Sequence, residues 1–296
     1  MTPNPIMRRL GLRDDDRAAI IHLDDVGMCQ ATLTACADLF DFGLVSSASV
    51  MVPCGWFPAA AALCRARPEV DMGVHITLTS EWEGYRWGPI STADPASGLI
   101  DAEGYFHRTR EAAQAHGDPQ AAAAEMEAQV ARALAAGVDV THIDTHMGTV
   151  AHVRFAAAYV HTARRHNLPA MVSRWDAGRL QQERGVDDVT AQTTSALVQR
   201  LEEAGFPLVD HVDGMPLEGD KPLELAQAKF AALQPGLTHF ILHAAADTPE
   251  LRAITPDWPA RVADYALFTS PTLRDFVRDQ GIHVIGYRAL RDLLRA

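Results

Sequence analysis

The feature that most restricts this chain is the regular alternation of short apolar runs with longer segments of helical spacing. Runs of strand length fall at 18–21, 45–52, 72–78, 138–144, 170–173, 208–212, 237–242 and 283–285. Helical spacing occupies the intervals at 30–42, 58–67, 119–136, 154–166, 190–204, 223–233, 258–268, 271–279 and 290–295. The segment 119–136 is the plainest helix, with Pro119 in its first turn, dense alanine and Gly137 as its stop. Strand and helix in strict alternation give a parallel sheet covered by helices, and right-handed crossovers can close such a sheet on itself. The expected fold class is therefore α/β, a single (β/α) barrel over residues 1–296, irregular or with fewer than eight strands. One stretch breaks the rhythm. From Thr79 to Arg108 no period survives, and a loop of that length in a compact domain is usually a lid or a binding loop.

Composition removes several classes of function. The formal net charge of −12 argues against a nucleic-acid partner, which would call for a basic stripe. No apolar run is long enough to span a bilayer, so no membrane partner is expected. Residues 1–17 are polar and carry no signal-peptide core. Cys29, Cys36, Cys54 and Cys64 show no C-x-x-C spacing and read as reduced thiols, which points to a cytoplasmic protein. A homodimer stays open.

The chemistry gathers at strand ends. The first run, Ile20-Ile21-His22-Leu23, stops at Asp24 and Asp25, and Gly27 offers the turn that leads into the first helix. Two adjacent carboxylates are costly unless a cation or a shared proton relieves them. His75 lies in the third run, Asp144 and His146 end the fourth, and His243 ends a late one. A barrel brings the carboxyl ends of its strands to one mouth. One carboxylate with two imidazoles is a sound ligand set for zinc or a similar divalent ion. A strand histidine taken singly is ordinarily a hydrogen-bonded core residue. Four such strand ends together are better explained by one site. His142 alternates with Asp144 and His146 and reads as a supporting or core residue, as does His22 beside Asp24.

These motifs resemble the YdjC-like carbohydrate deacetylase family, which includes chitooligosaccharide deacetylases. The family's A-D-D-F-G corresponds to Leu23-Asp24-Asp25-Val26-Gly27, its G-x-H-x-x-L to Gly73-Val74-His75-Ile76-Thr77-Leu78, and its T-H-x-D-S-H to Thr141-His142-Ile143-Asp144-Thr145-His146. Its late H-P-G stands here as His243-Ala244-Ala245, and the ending through Tyr287 is also similar. The resemblance implies a (β/α) barrel and a divalent metal, magnesium or zinc. It implies Asp25, His75 and His146 as ligands and Asp24 as general base. Met147 and Thr149 depart from the family's pattern, as do the two alanines after His243.

The expected activity is hydrolysis of an N-acetyl group on an amino sugar or an N-acetylated oligosaccharide. Asp24 would be the base and His243 the acid, with Asp144 and His142 behind the ligands. Trp82, Tyr85, Arg86 and Trp87 of the long loop would then meet the sugar. Another metal-dependent amide or ester hydrolase, a metal-bearing isomerase or aldolase, and a non-catalytic carbohydrate-binding protein remain as alternatives. A lysine mechanism is disfavoured, because Lys221 and Lys229 are the only lysines and both lie on or beside an expected helix.

Overall fold

The computed structural model describes residues 3–296, with the exception of the Arg184 side chain. A short helix, α1 (Pro5–Arg9), is followed by β1 (Arg17–Val26), α2 (Gln30–Phe42), β2 (Ser47–Val50), α3 (Phe57–Ala66) and β3 (Met72–Ile76). After the long loop come α4 (Arg110–His116), α5 (Pro119–Ala135), β4 (Val140–Thr145), α6 (Val153–Arg165), α7 (Ala177–Arg184) and α8 (Asp188–Glu203). The remainder is β5 (His211–Gly214), α9 (Leu223–Ala231), β6 (Gly236–Leu242), α10 (Pro249–Ile254), α11 (Trp258–Phe268), α12 (Pro271–Asp279), β7 (His283–Val284) and α13 (Tyr287–Arg295).

Local chemistry sets the helix ends. Asp118 caps α5 by accepting from the backbone N–H groups of Gln120 and Ala121, and Pro119 starts it where no donor is needed. Gly43, at φ 80°, stops α2 in the left-handed conformation that suits glycine. No helix among the described residues is long and apolar enough to cross a membrane.

The strands form a seven-stranded parallel sheet in the order β4-β3-β2-β1-β6-β5, with β7 pairing the start of β1. Its two edges approach through the segment 170–173, which makes one parallel bridge to β4 (Ile143 with Ala170) and one to the chain leading into β5 (Ser173 with Val209). The class is the expected one, an irregular (β/α) barrel with fewer than eight regular strands. Residues 170–173 were expected as a strand and form isolated bridges instead. The backbone bonds are few but real: Ile143 N–H donates to the Pro169 carbonyl (3.0 Å) and Met171 N–H to the Ile143 carbonyl (2.9 Å), with the Tyr159 hydroxyl contacting those last two groups.

Bulky branched residues usually fill a barrel of this kind. Here the interior carries His22, Ser49, His75, His142, Asp144 and His239, all buried. The polar column needs room. A Cβ on Gly73 would lie 2.4 Å from the His142 ring, so glycine is the residue that fits there. The long loop folds down beside β3. Trp87 donates its indole N–H to the Thr79 carbonyl (2.8 Å), and Ser80 N–H bonds the His107 carbonyl (2.9 Å). Glu125 of α5 accepts from the backbone of Ile90 and Ser91.

Candidate metal centre

Successive strand side chains point to opposite faces, so Asp24 and Asp25 should diverge. They do not, because Asp25 takes a left-handed backbone conformation with φ 63°. That turn brings both carboxylates to the barrel mouth. Such a conformation costs a non-glycine residue on the order of 1 kcal/mol or more and is typical of functional sites. His146 is also followed by a left-handed residue, Met147 at φ 53°, in the irregular turn His146–Ala151 after β4.

Asp25, His75 and His146 offer one donor atom each, all within 4.8 Å of one another. Asp25 Oδ1 lies 3.4 Å from His75 Nε2 and 3.2 Å from His146 Nδ1. This oxygen is buried and has no hydrogen-bond partner. Buried carboxylate oxygens are nearly always hydrogen-bonded. An unpaired one facing two imidazole nitrogens suits a divalent cation, so the residues fit one.

The surroundings orient these donors. His75 turns its Nδ1 to Asp144 Oδ1 (2.9 Å), which leaves Nε2 for the centre. Asp144 Oδ2 in turn meets His22 Nε2 (3.0 Å) and accepts from Ser49 Oγ (2.8 Å). His146 places Nε2 against Glu81 Oε2 at 3.1 Å. Arg261 of α11, itself buried, donates to Asp25 Oδ2 (2.8 Å) and to Asp257. Burial works against the charged form of Asp25, but Arg261 and the two histidines outweigh it and hold the carboxyl well below the usual range.

Asp24 stands in different surroundings. Its Oδ2 is 3.6 Å from His243 Nε2, and its Oδ1 is 3.4 Å from His22 Nε2 without a proper hydrogen bond. Burial pushes its pKa up to about 7, against the opposing pull of His75. His243 is anchored through its backbone N–H to Asp264 (3.0 Å), which also accepts from Lys221 (2.7 Å). Desolvation lowers the His243 pKa below the ordinary imidazole value.

His22, Asp24, Asp144 and His239 also offer donors within 4.8 Å of one another. Most of these groups have protein partners: both Asp144 oxygens are hydrogen-bonded, and His239 Nδ1 meets the Tyr287 hydroxyl at 3.0 Å. His142 lies apart from the Asp25 group. Its Nδ1 contacts Thr141 Oγ1 (2.9 Å) and its ring stacks on Tyr287 at 3.9 Å.

The loop residues adjoin the centre from above. Trp87 lies edge-on to His146 at 6.3 Å and to Trp82 at 5.4 Å, and the Arg261 guanidinium sits 5.6 Å from the Trp82 ring. Both indoles are buried. Tyr85 donates its hydroxyl to the Met28 carbonyl, and Arg86 is engaged within the loop by Asp101, Glu103 and the Phe106 carbonyl.

Glu81, Ser49, Arg261 and the Lys221–Asp264 pair did not emerge from the sequence. Arg261 and Asp264 are three apart on α11, whose buried face also carries Ala260, Leu267 and Phe268. Two charges on an otherwise apolar helix face were the available signal.

The sequence matches the family described as YdjC-like protein over residues 18–279. The chain belongs to that YdjC-like family. A carbohydrate deacetylase from Thermus thermophilus is 32% identical over 289 residues, covering 98% of this chain and 99% of its own. A carbohydrate deacetylase from Thermoanaerobacter pseudethanolicus is 23% identical over 272 residues, covering 92% and 98%. The crystal structure of an Enterococcus faecalis protein, described as a cellobiose-phosphate cleavage protein, superposes with a TM-score of 0.76 at 18% identity, covering 93% of this chain and 99% of that one. That likeness concerns the fold. In this YdjC-like chain the segments Leu23–Gly27, Gly73–Leu78, Thr141–His146 and His243–Ala245 fall at the ends of β1, β3, β4 and β6.

Proposed function

We propose that this chain is a metal-dependent hydrolase that removes N-acetyl groups from an amino sugar or N-acetylated oligosaccharide. One observation carries the reading: a buried, unpaired Asp25 oxygen between His75 and His146, with a second carboxylate, Asp24, beside it. Relatives named as carbohydrate deacetylases over nearly their whole length support the choice of substrate. Two imidazoles in the donor set favour zinc or a similar ion over magnesium.

A bound divalent ion supplies a Lewis acid that polarises the acetyl carbonyl and lowers the pKa of an attacking water. The protein's own part follows from geometry. Asp144 and Glu81 fix the ring orientations of His75 and His146. Arg261 keeps Asp25 ionised and occupies its second oxygen. Asp24, with its pKa near neutrality, takes the proton from the attacking water. His243, 3.6 Å from Asp24, faces the same space and is placed to pass a proton to the leaving amine. Burial disfavours its charged form, so the proton it passes on is the one that Asp24 has taken from the water, handed across that gap and then to the amine, which leaves both groups as they began.

The test is acetate release from N-acetylated oligosaccharides with and without chelator. Release that stops on chelation and returns with zinc is expected. Release that ignores the chelator would make the hydrolysis metal-independent, and no release from any acetylated sugar would leave a non-catalytic carbohydrate-binding protein.

A further inference from the structure

His243 differs from the two candidate ligand histidines in how its ring is held. His75 and His146 each turn one nitrogen to a carboxylate at hydrogen-bond distance. The His243 ring has no such partner among the described residues: Nδ1 is buried and unpaired, and Nε2 stands 3.6 Å from Asp24. The place of the imidazole is therefore set through its backbone. β6 ends at Leu242, and the turn that follows, His243-Ala244-Ala245, contains neither glycine nor proline to fix its shape. It is fixed from outside. α11 holds both ends: Asp264 Oδ2 accepts from the His243 N–H (3.0 Å), and the Arg261 carbonyl accepts from the Ala245 N–H (3.1 Å).

Asp264 is held in its turn. Its Oδ1 accepts from Lys221 Nζ at 2.7 Å, and neither side chain is exposed to solvent. Lys221 comes from the segment 215–222 between β5 and α9. A buried pair of this kind gives little stability over apolar side chains of the same size, because both charges lose their water. What it supplies is direction. With Oδ1 committed to Lys221, Oδ2 is turned to the His243 N–H. Arg261, one turn earlier on the same helix face, holds Asp25. We propose that Lys221 and Asp264 are positioning residues for proton delivery, holding the end of β6 so that the His243 imidazole faces Asp24. Neither touches the substrate. The proposal rests on the deacetylase reading and adds two residues to its machinery.

The test removes the pair without leaving a charge behind. Lys221→Met combined with Asp264→Leu should keep the fold and the zinc. Its kcat for acetate release from N,N′-diacetylchitobiose should fall by about tenfold to a hundredfold at nearly constant KM, since a misplaced acid is missed only in the transition state. Lys221→Met combined with Asp264→Asn restores an acceptor for the His243 N–H and should recover part of the loss. In a His243→Ala background the first combination should cost nothing further, because the pair then has no ring to place. Should the first combination not fold, the second carries the same comparison, with a smaller loss that disappears in that background. A parent-like kcat, a loss of zinc, or an equal further loss without His243 would overturn the proposal. Crystal structures of the parent and of the combined variant give a readout that needs no turnover: His243 Nε2 should move from its place beside Asp24 by about 1 Å or more, a displacement large enough to matter for catalysis. An unmoved ring would overturn the proposal too. If the parent releases no acetate from any acetylated sugar, the deacetylase reading fails, and the crystal structures alone then decide whether the pair places His243.

Discussion

Asp24 and Asp25 are neighbours in sequence, yet their surroundings drive them in opposite directions. The left-handed turn at Asp25 sends its carboxylate to His75, His146 and Arg261, which hold it charged. Asp24 meets His22 and His243 at longer range and is held near neutrality by burial. Four substitutions separate the roles. Asp24→Asn should keep zinc and the fold while turnover falls by about a hundredfold or more, the usual contribution of a general base. Asp25→Ala, His75→Ala and His146→Ala should each lose zinc, because two donors cannot fill the shell. Elemental analysis of the four proteins, with circular dichroism for the fold, checks both. Full zinc occupancy in any of the three alanine proteins would remove that residue from the ligand set.

At the scale of elements, β3 and β4 meet across their side chains as well as through their ladder. The His142 ring lies over Gly73, and Gly73→Ala would press a methyl group into it. Overpacking of this kind costs about 1–3 kcal/mol. Urea unfolding should show that loss for Gly73→Ala, and His142→Ala in the same chain should recover part of it by removing the obstacle. A simple sum of the two single losses would mean that the ring and the glycine do not interact. The elements were legible where an apolar run contains or is followed by an ionisable residue: β1, β3, β4 and β6 all show this, and all carry or directly precede candidate site residues. The helices α4, α7 and α10 were not legible. They have 7, 8 and 6 residues, too few turns for a period to stand out. The role of α11 was hidden for another reason. Arg261 reaches Asp25 across 236 positions, and Asp264 holds the backbone of His243 and the side chain of Lys221. Pairings between distant elements leave no periodic trace in a sequence.

Over the whole molecule, the barrel interior brings Asp24, Asp25 and Asp144 together in a space where unpaired charge is expensive. Arg261 answers Asp25 from one side. His22 and Ser49 answer Asp144, but one oxygen each of Asp24 and Asp25 stays without a hydrogen bond. A cation at the Asp25 group would satisfy the second of these and tie β1, β3 and the end of β4 together at the mouth. Metal should therefore stabilise the fold as well as serve the chemistry. An ion at a hundredfold excess over its Kd adds about 2.7 kcal/mol to the native state. For a chain of this size that amounts to a Tm shift of roughly 5 °C. Differential scanning calorimetry of the zinc-loaded protein should show this loss on adding chelator, and Asp25→Ala should melt at one temperature with or without it. An unchanged Tm in the parent protein would mean that the open Asp25 oxygen is not a ligand position. An equal chelator shift in the Asp25→Ala protein would place the ion among His22, Asp24, Asp144 and His239 instead.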